Sequence, residues 1–289
     1  MNALRRAAPP AAALALALWG LATARVQPSP GSDRARQGRE LAEASAALYG
    51  AGRYAEALAA TEKLFRLQPR NHILALRLAN AAHHLGRQAD EARWLEDFAR
   101  LSPTPEEACP RLPRVYEALG RAADALDAYA RCVRFSPRDP DARYFLGHAR
   151  ERAGDLDGAA AEYVRGLELA RAEPDLELGL ARIALRRNDP RRALEGAARA
   201  LARSPDDPDA ALVQGLAQLR LGDARAARAV LRRAVARRED DADLQFALGL
   251  AEERTGGAAE ADRRFARALE LRPGDGEVRA AQARLRGTR

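Results

Sequence analysis

Two cysteines are the residues of this 289-residue chain whose types and spacing most clearly suggest chemistry. Cys109 lies eleven residues before Gly120, and Cys132 lies twelve residues after it. If the chain folds back as a helical hairpin near Gly120, residues equidistant from the turn face each other. We therefore predict a Cys109–Cys132 disulfide. Such a bridge requires an oxidising compartment, which an exported chain would meet, and the N-terminal segment described below predicts export. Two buried thiols that pack as small hydrophobic side chains are the alternative.

The remaining reactive side chains do not form a catalytic pattern. The four histidines are His72, His83, His84 and His148. His83 and His84 are adjacent, so on a helix they point in different directions and make a poor metal-binding pair. The chain has no phosphate-binding Gly-x-x-x-x-Gly-Lys loop, no His-Glu-x-x-His and no Gly-x-Ser-x-Gly. We expect a protein that is not an enzyme and that uses neither a metal nor a cofactor.

The elements that position these residues are marked by one fixed spacing. Glycine or asparagine recurs every 34 residues, at Gly52, Gly86, Gly120, Gly154, Asn188, Gly222 and Gly256. We call these the turn positions. Glycine, and next asparagine, is favoured where a left-handed residue closes a helix. A fixed period of this length is typical of a repeat array, in which each period is one supersecondary unit.

The residues around the turn positions recur in phase with them. Five residues after the turn lie Ala57, Ala125, Ala159, Ala193, Ala227 and Ala261; nine after lie Leu95, Tyr129, Tyr163, Leu231 and Phe265; seventeen after lie Pro69, Pro103, Pro137, Pro205 and Pro273. Eight residues before the turn lie Leu78, Leu112, Leu146, Leu180 and Leu248. Small residues allow two helices to approach, large ones fill the space between layers, and proline ends the second helix.

This pattern resembles that of the tetratricopeptide repeat family, of an exported bacterial type. The resemblance implies an all-α, right-handed superhelical solenoid of antiparallel helix hairpins over residues 38–275. The predicted repeats are 38–71, 72–105, 106–139, 140–173, 174–207, 208–241 and 242–275. Residues 276–289 are predicted to form a polar capping helix, which a solenoid needs at its open end.

The third repeat departs from the others. Pro110 and Pro113 fall inside its expected first helix. Proline is tolerated there only within the first turn, whose amides have no partner inside the helix. We predict a shortened helix from about Pro110 to Leu119.

The N-terminal segment differs in kind from the repeats. Arg5 and Arg6 precede an apolar run at 11–22, and Ala22-Thr23-Ala24 fits a signal peptidase site. We predict a signal peptide over residues 1–24, or an uncleaved signal anchor, and then a linker over residues 25–37. The mature chain would be periplasmic or secreted. The alternative is a protein anchored in the inner membrane and facing the periplasm, with the anchor as its membrane contact.

In the family that this chain resembles, the first helices of successive repeats line a concave surface that binds peptides. The residues at the corresponding places in the last three repeats are mainly apolar or basic. They are Leu178, Arg182, Arg186, Leu212, Leu216, Leu219, Arg220, Phe246, Leu250 and Arg254. An apolar floor edged with arginines suits an amphipathic segment that carries carboxylates. A spaced arginine series also has a structural interpretation, because an arginine in the last turn of a helix neutralises the helix dipole.

These observations favour a non-catalytic scaffold or adaptor that binds a protein segment, with cell-envelope assembly or secretion as its setting. A nucleic-acid-binding helical repeat protein is the alternative, since the net charge is +7. Acidic residues are interspersed with the arginines, and no basic block stands out. We therefore expect no nucleic acid partner.

Overall fold

The computed structural model describes residues 33–171 and 173–287, which are helical almost throughout and contain no β-strand. The chain divides into two compact units at residue 137. The first unit covers the described residues up to 137 and the second covers those from 138 onward. In both units, consecutive helices pair as antiparallel hairpins, so the all-α repeat fold is confirmed.

The first unit contains six α-helices and one 3₁₀ helix within residues 33–137. The α-helices are α1 Asp33–Gly50, α2 Tyr54–Leu67, α3 His72–His84, α4 Gln88–Leu101, α5 Leu112–Ala118 and α6 Ala122–Phe135; the 3₁₀ helix is Pro105–Ala108. The helix pairs are α1 with α2, α3 with α4, and α5 with α6. Apolar residues between the pairs form the core, with Leu78, Leu95 and Phe98 almost fully buried.

The second unit contains nine α-helices within residues 138–287, apart from the undescribed position 172. They are α7 Pro140–Arg152, α8 Leu156–Leu169, α9 Pro174–Arg186, α10 Pro190–Arg203, α11 Pro208–Arg220, α12 Ala224–Arg237, α13 Ala242–Arg254, α14 Ala258–Leu271 and α15 Gly276–Gly287. The helix starts follow the sequence. Asp139, Asp207 and Asp241 cap α7, α11 and α13 by accepting backbone N–H groups.

All seven turn positions have the left-handed backbone that their residue types predict. The glycines have φ between 66° and 88°, and Asn188 has φ 58°. Asn188 is the one non-glycine residue with positive φ among the described residues. Each turn therefore reverses the chain within a few residues, which places the two helices of a hairpin side by side.

The third hairpin is irregular, as its prolines predict, but its helix is shorter than expected. The expected span was Pro110–Leu119, whereas α5 covers Leu112–Ala118. Pro113 then lies at the start of α5, and the preceding chain forms a 3₁₀ helix instead of a further α-helical turn. The reason is that proline can occupy the first turn of a helix but not its interior.

The first helix begins earlier than the sequence indicated. Residues 33–37, predicted as part of the linker, belong to α1. Ala35 is buried, and Gly38 lies against the Leu64 and Gln68 side chains. This packing against the end of α2 extends the helix toward the N-terminus. The predicted signal peptide and the rest of the linker lie outside the described residues. No helix within 33–287 combines the length and hydrophobicity of a membrane span.

The first and second helices of the second unit lie in different surroundings. Each first helix contacts the next first helix: α7 meets α9, α9 meets α11, and α11 meets α13. Within residues 138–287, successive second helices make no comparable contact with each other. The first helices of this unit therefore line the inner side of the stack, and the second helices fan out on the outer side. At the end of the stack, α15 covers Phe265 and Ala268 with Val278 and Leu285.

Candidate functional site

The candidate site is the inner surface of the second unit, where the predicted groove residues lie on α9, α11 and α13. The structure separates these residues into two groups. Leu178 and Leu219 are each 4% exposed and belong to the core between helices, contrary to the expectation that they line an exposed groove floor. Their burial follows from the direct contacts between successive first helices, which enclose side chains at these places.

The other apolar groove residues remain partly accessible. Leu212, Leu216 and Leu250 are half-buried and pack against the core of α11–α13. Phe246 is also half-buried, and its ring lies 5.8 Å from that of Phe265. These four residues are spaced four positions apart on each of α11 and α13, and together they are the apolar strip of this surface. We call this strip, together with Arg220 and Arg254, the inner groove.

The arginines of the groove have a structural partner that sequence spacing did not reveal. Arg186 donates through Nη1 to the carbonyl oxygen of Glu151 at 3.0 Å, and Arg220 donates in the same way to Leu185 at 2.5 Å. Arg254 repeats the contact with the carbonyl oxygen of Leu219. Each acceptor belongs to the first helix of the preceding repeat. These arginines therefore satisfy helix-end carbonyls of their neighbour, in addition to lying in the last turn of their own helix.

The same carbonyl oxygens also accept the backbone N–H of a turn position. Asn188 donates to Leu185 at 3.1 Å, and Gly222 donates to Leu219 at 3.2 Å. A carbonyl oxygen has two lone pairs and can accept both bonds. Arg220 and Arg254 use one guanidinium nitrogen in this way, are exposed, and have no carboxylate partner among the described residues. They therefore leave a positive edge beside the apolar strip.

Arg182 lies in a different environment and is not available in the same way. Its guanidinium contacts the Glu151 carboxylate through Nε at 3.2 Å and Nη2 at 3.0 Å. The Tyr163 hydroxyl donates to the same carboxylate at 3.0 Å. Burial acts to lower the pKa of Arg182, but its hydrogen bonds to the Glu151 carboxylate outweigh burial and raise that pKa. Arg182 thus belongs to an ion pair that joins α7 to α9 through Tyr163, which is fully buried.

The opposite edge of the inner surface is acidic. Asp175, Asp209 and Asp243 occupy the same place in the first turn of α9, α11 and α13. Asp209 pairs with Arg238 at 2.8 Å, and Asp243 pairs with Arg272 at 2.9 Å.

Asp175 differs from the other two aspartates. Burial raises its pKa, as do the neighbouring carboxylates of Asp207 and Glu173 to a smaller degree. The inner surface therefore carries carboxylates at the starts of the first helices and arginines at their ends. The sequence places these acids at helix starts, but that position alone does not show that they share one edge of the inner surface.

Cys109 and Cys132 are brought together in the first unit. They form a disulfide with a Cα–Cα distance of 5.5 Å, within the usual range for such bridges. Cys109 follows the 3₁₀ helix and Cys132 lies in α6, so the bridge ties the irregular segment to a regular helix. The bridge therefore lies in the third hairpin, whose first helix is shortened to seven residues.

A buried carboxylate replaces alanine in the second hairpin. Glu91 is 2% exposed and occupies the position five residues after a turn, where the other hairpins have alanine. It accepts hydrogen bonds from Arg111 Nη2 at 2.5 Å and interacts with His83 Nδ1 at 3.0 Å. The sequence marks this site because Glu91 interrupts the series of alanines that lie five residues after the turn positions. Within 33–287, no group of His, Cys, Asp and Glu side chains has a geometry suited to a metal ion.

Comparison with known proteins identifies the repeats. Residues 36–104, 114–175, 178–242 and 212–276 match the tetratricopeptide repeat family model, which covers well over half of the chain. The chain belongs to the tetratricopeptide repeat family. No curated protein matches the sequence. The family assignment therefore rests on the repeats themselves and on the fold.

Solved structures show the same fold. A chain of the APC/C hetero-tetramer Cut9–Hcn1 matches with a TM-score of 0.64 and 17% identity, over 83% of this chain and 48% of its own length. This tetratricopeptide repeat chain thus spans about half of that protein. A tetratricopeptide repeat protein from Parabacteroides merdae ATCC 43184 matches with a TM-score of 0.63 and 16% identity, over 86% of this chain and 99% of its own.

A thermophilic tetratricopeptide repeat protein from Thermus thermophilus is more similar in sequence. It is 27% identical over 62% of this chain and 98% of its own, with a TM-score of 0.52. These likenesses concern the fold. Fold alone does not specify a partner, so the function has to be argued from the site.

Proposed function

We propose that this tetratricopeptide repeat protein is a non-catalytic adaptor that binds an amphipathic protein segment with acidic residues in the inner groove. The observation that carries the proposal is the half-exposed strip of Leu212, Leu216, Phe246 and Leu250, flanked by Arg220 and Arg254. Apolar side chains at the groove supply burial, and exposed arginines without acidic partners supply charge complementarity. Arg220 and Arg254 are also held in place by backbone carbonyls, which reduces the entropy lost on binding.

The two edges of the inner surface suggest how the segment is oriented. Its acidic residues would face the ends of α11 and α13, where Arg220 and Arg254 lie. Residues facing the starts of these helices would meet Asp209 and Asp243, which already pair with arginines of this chain. A carboxylate placed on that side would have to compete with Asp209 and Asp243 for Arg238 and Arg272. The groove thus favours a segment whose acidic residues lie on one flank of its apolar stripe.

The experiment replaces Leu216 and Leu250 together with glutamate and compares the partners captured by crosslinking from a cell-envelope extract. Both side chains are half-buried at the groove surface. Glutamate at these positions removes apolar contact area and repels the acidic residues of the bound segment. The matched control replaces Val164 and Leu169 of α8, exposed by 46% and 41%, with glutamate. Circular dichroism and thermal unfolding verify that both variants fold. Loss of captured partners in the groove variant alone supports the proposal, whereas unchanged partners with an intact fold would refute it.

We further propose that the chain is exported and acts in the periplasm or at the outer face of the inner membrane, in assembly or secretion of envelope components. The support is the N-terminal pattern of Arg5 and Arg6, an apolar run and Ala22-Thr23-Ala24. The seven hairpins would then form seven repeats of the exported protein. Sequencing the N-terminus of the mature protein tests this proposal. A mature chain that begins at residue 25 supports cleavage, and a cytoplasmic protein that retains Met1 would contradict export.

A further inference from the structure

The outer side of the second unit carries a concentration of arginines on two neighbouring second helices. Helix α12 has five arginines and no acidic residue in its sequence ARAARAVLRRAVAR, and α10 has four arginines and one glutamate in PRRALEGAARALAR. Most of these side chains are exposed. We call the exposed set the outer arginine surface; it comprises Arg191, Arg192, Arg199, Arg203, Arg225, Arg232, Arg233 and Arg237.

Part of this charge is not balanced within the protein. Four of these arginines form ion pairs: Arg192 with Asp189, Arg199 with Glu177, Arg232 with Glu252 and Arg237 with Asp206. Arg191, Arg225 and Arg233 have no carboxylate partner within the described part of the chain. Their charge therefore remains available to an external anion.

The position of the arginines does not favour folding. Arg191 and Arg225 lie in the first turns of α10 and α12, where the helix dipole is positive. The neighbouring second helices α8 and α14 have acids there instead, Asp157 and Glu260. Arginine at the start of a helix opposes the dipole, so helix stability does not account for these residues. A bound anion at this surface would offset the repulsion.

Two clefts border α10 on the same side of the molecule. One has a volume of about 500 Å3 and lies between α8 and α10, above Leu180 and Ala184 of α9. The other has a volume of about 320 Å3 and lies between α10 and α12, where Leu201 and Val230 line it. Each cleft combines an aliphatic lining with charged residues of both signs. The first is lined by Arg187, Arg192 and Arg199 together with Asp189 and Glu195, and the second by Arg233 and Arg237 together with Asp206 and Asp207. Three of the four acids are already engaged, since Asp189 pairs with Arg192, Asp206 pairs with Arg237 and Asp207 caps α11.

Small residues of α10 border both clefts. Ala198 and Ala202, which are exposed, line the cleft toward α12, and Gly196 lines the cleft toward α8. These side chains are too short to fill the clefts, so space remains on both sides of α10.

We propose that the outer arginine surface is a second docking site, which binds an acidic protein segment that places apolar side chains in the clefts beside α10. Charge complementarity selects the acidic residues, and the aliphatic linings of the clefts select apolar side chains between them. A lipid headgroup layer or a nucleic acid offers phosphates but no apolar side chain of a size that fits a cleft of about 320 Å3. The surface therefore favours an acidic protein segment over these polyanions.

The experiment measures binding of a fluorescent 16-residue glutamate peptide with two leucines to the full chain. The variant Arg191→Gln, Arg225→Gln, Arg233→Gln removes charges that have no acidic partner, so its fold is preserved. The control Arg39→Gln, Arg70→Gln, Arg87→Gln makes the same change of net charge at exposed positions of the first unit. We expect the outer variant to weaken binding at least tenfold and the control to weaken it less than twofold.

A second pair of variants tests the clefts. Ala202→Trp fills the cleft between α10 and α12, and Ala229→Trp places the same side chain on α12 outside the residues that line it. We expect Ala202→Trp to weaken the leucine-containing peptide tenfold, with Ala229→Trp unchanged. Unchanged binding by the outer variant or by Ala202→Trp would overturn the proposal. Equally tight binding of single-stranded DNA or phosphatidylserine vesicles, with the same dependence on the outer arginines, would also overturn it.

The groove variant Leu216→Glu, Leu250→Glu separates the two docking sites. Because the inner groove also suits an acidic amphipathic peptide, the outer variants are compared in the background of this groove variant, which should retain the binding that belongs to the outer site. Loss of peptide binding in the folded groove variant would show that the peptide uses the inner groove, and would overturn the outer site while supporting the groove.

Discussion

Arg220 donates a hydrogen bond from Nη1 to the carbonyl oxygen of Leu185 at 2.5 Å, across 35 positions of the sequence. The acceptor lies near the end of α9, where carbonyl groups lack partners within the helix. Arg186 and Arg254 make the equivalent contact one repeat earlier and one repeat later. A hydrogen bond of the same type thus connects each first helix of the second unit to the next, beside the inner groove.

We expect Arg220→Gln to lower the free energy of unfolding by about 1 kcal/mol, because glutamine is too short to reach the Leu185 carbonyl as a charged donor does. Urea unfolding followed by circular dichroism measures the change. Arg191→Gln is the matched control, since Arg191 is exposed and has no carboxylate partner within the described residues. The control should differ from wild type by less than about 0.5 kcal/mol. Equal stability of the two variants would mean that the backbone contact does not contribute.

The left-handed backbone of Asn188, with φ 58°, gives a second prediction. Replacement with glycine should be neutral or slightly stabilising, because glycine adopts this conformation without a steric penalty. Replacement with valine should cost at least about 1 kcal/mol, since a β-branched residue is strained there. Thermal unfolding of the two variants provides the measurement. A valine variant with the melting temperature of the wild type would be inconsistent with a left-handed backbone at Asn188.

Gly215 lies against a large core residue and cannot accept a side chain without a shift. A Cβ atom added to Gly215 would lie 2.5 Å from Leu231 Cγ, and Leu231 is fully buried. We expect Gly215→Ala to destabilise the protein by about 1–3 kcal/mol through overpacking. Gly50→Ala is the control, because nothing lies within 4 Å of a Cβ atom at that position. Chemical denaturation should show a loss for the first variant alone; equal curves would mean that α11 and α12 can move apart easily.

The disulfide should stabilise the third hairpin. It joins residues separated by 23 positions, and closing a loop of this size contributes about 3 kcal/mol in the chain-entropy model. We expect dithiothreitol to lower the urea midpoint of the wild type. The double variant Cys109→Ser, Cys132→Ser should match the reduced wild type and show no response to dithiothreitol. A wild type whose midpoint is the same with and without reductant would show that the bridge contributes nothing to stability.

The repeat architecture could be predicted from the sequence because its determinants are local. The residue that closes each first helix must adopt a left-handed backbone, and glycine or Asn188 occurs at this position every 34 residues. Alanine at close helix contacts and proline after the second helix repeat in phase with it. Even the irregular third hairpin could be anticipated, because the restriction that Pro113 imposes acts within one helical turn.

The burial and the hydrogen-bond partners of the groove residues depend on how the hairpins stack. The periodicity within one helix does not predict this stacking. Leu178 and Leu212 occupy equivalent positions in successive hairpins, yet Leu178 is buried and Leu212 is half-buried. The sequence placed Arg182 and Arg220 together in the groove. Tertiary structure alone directed Arg182 to the Glu151 carboxylate and Arg220 to the Leu185 carbonyl, since each acceptor lies on the preceding hairpin.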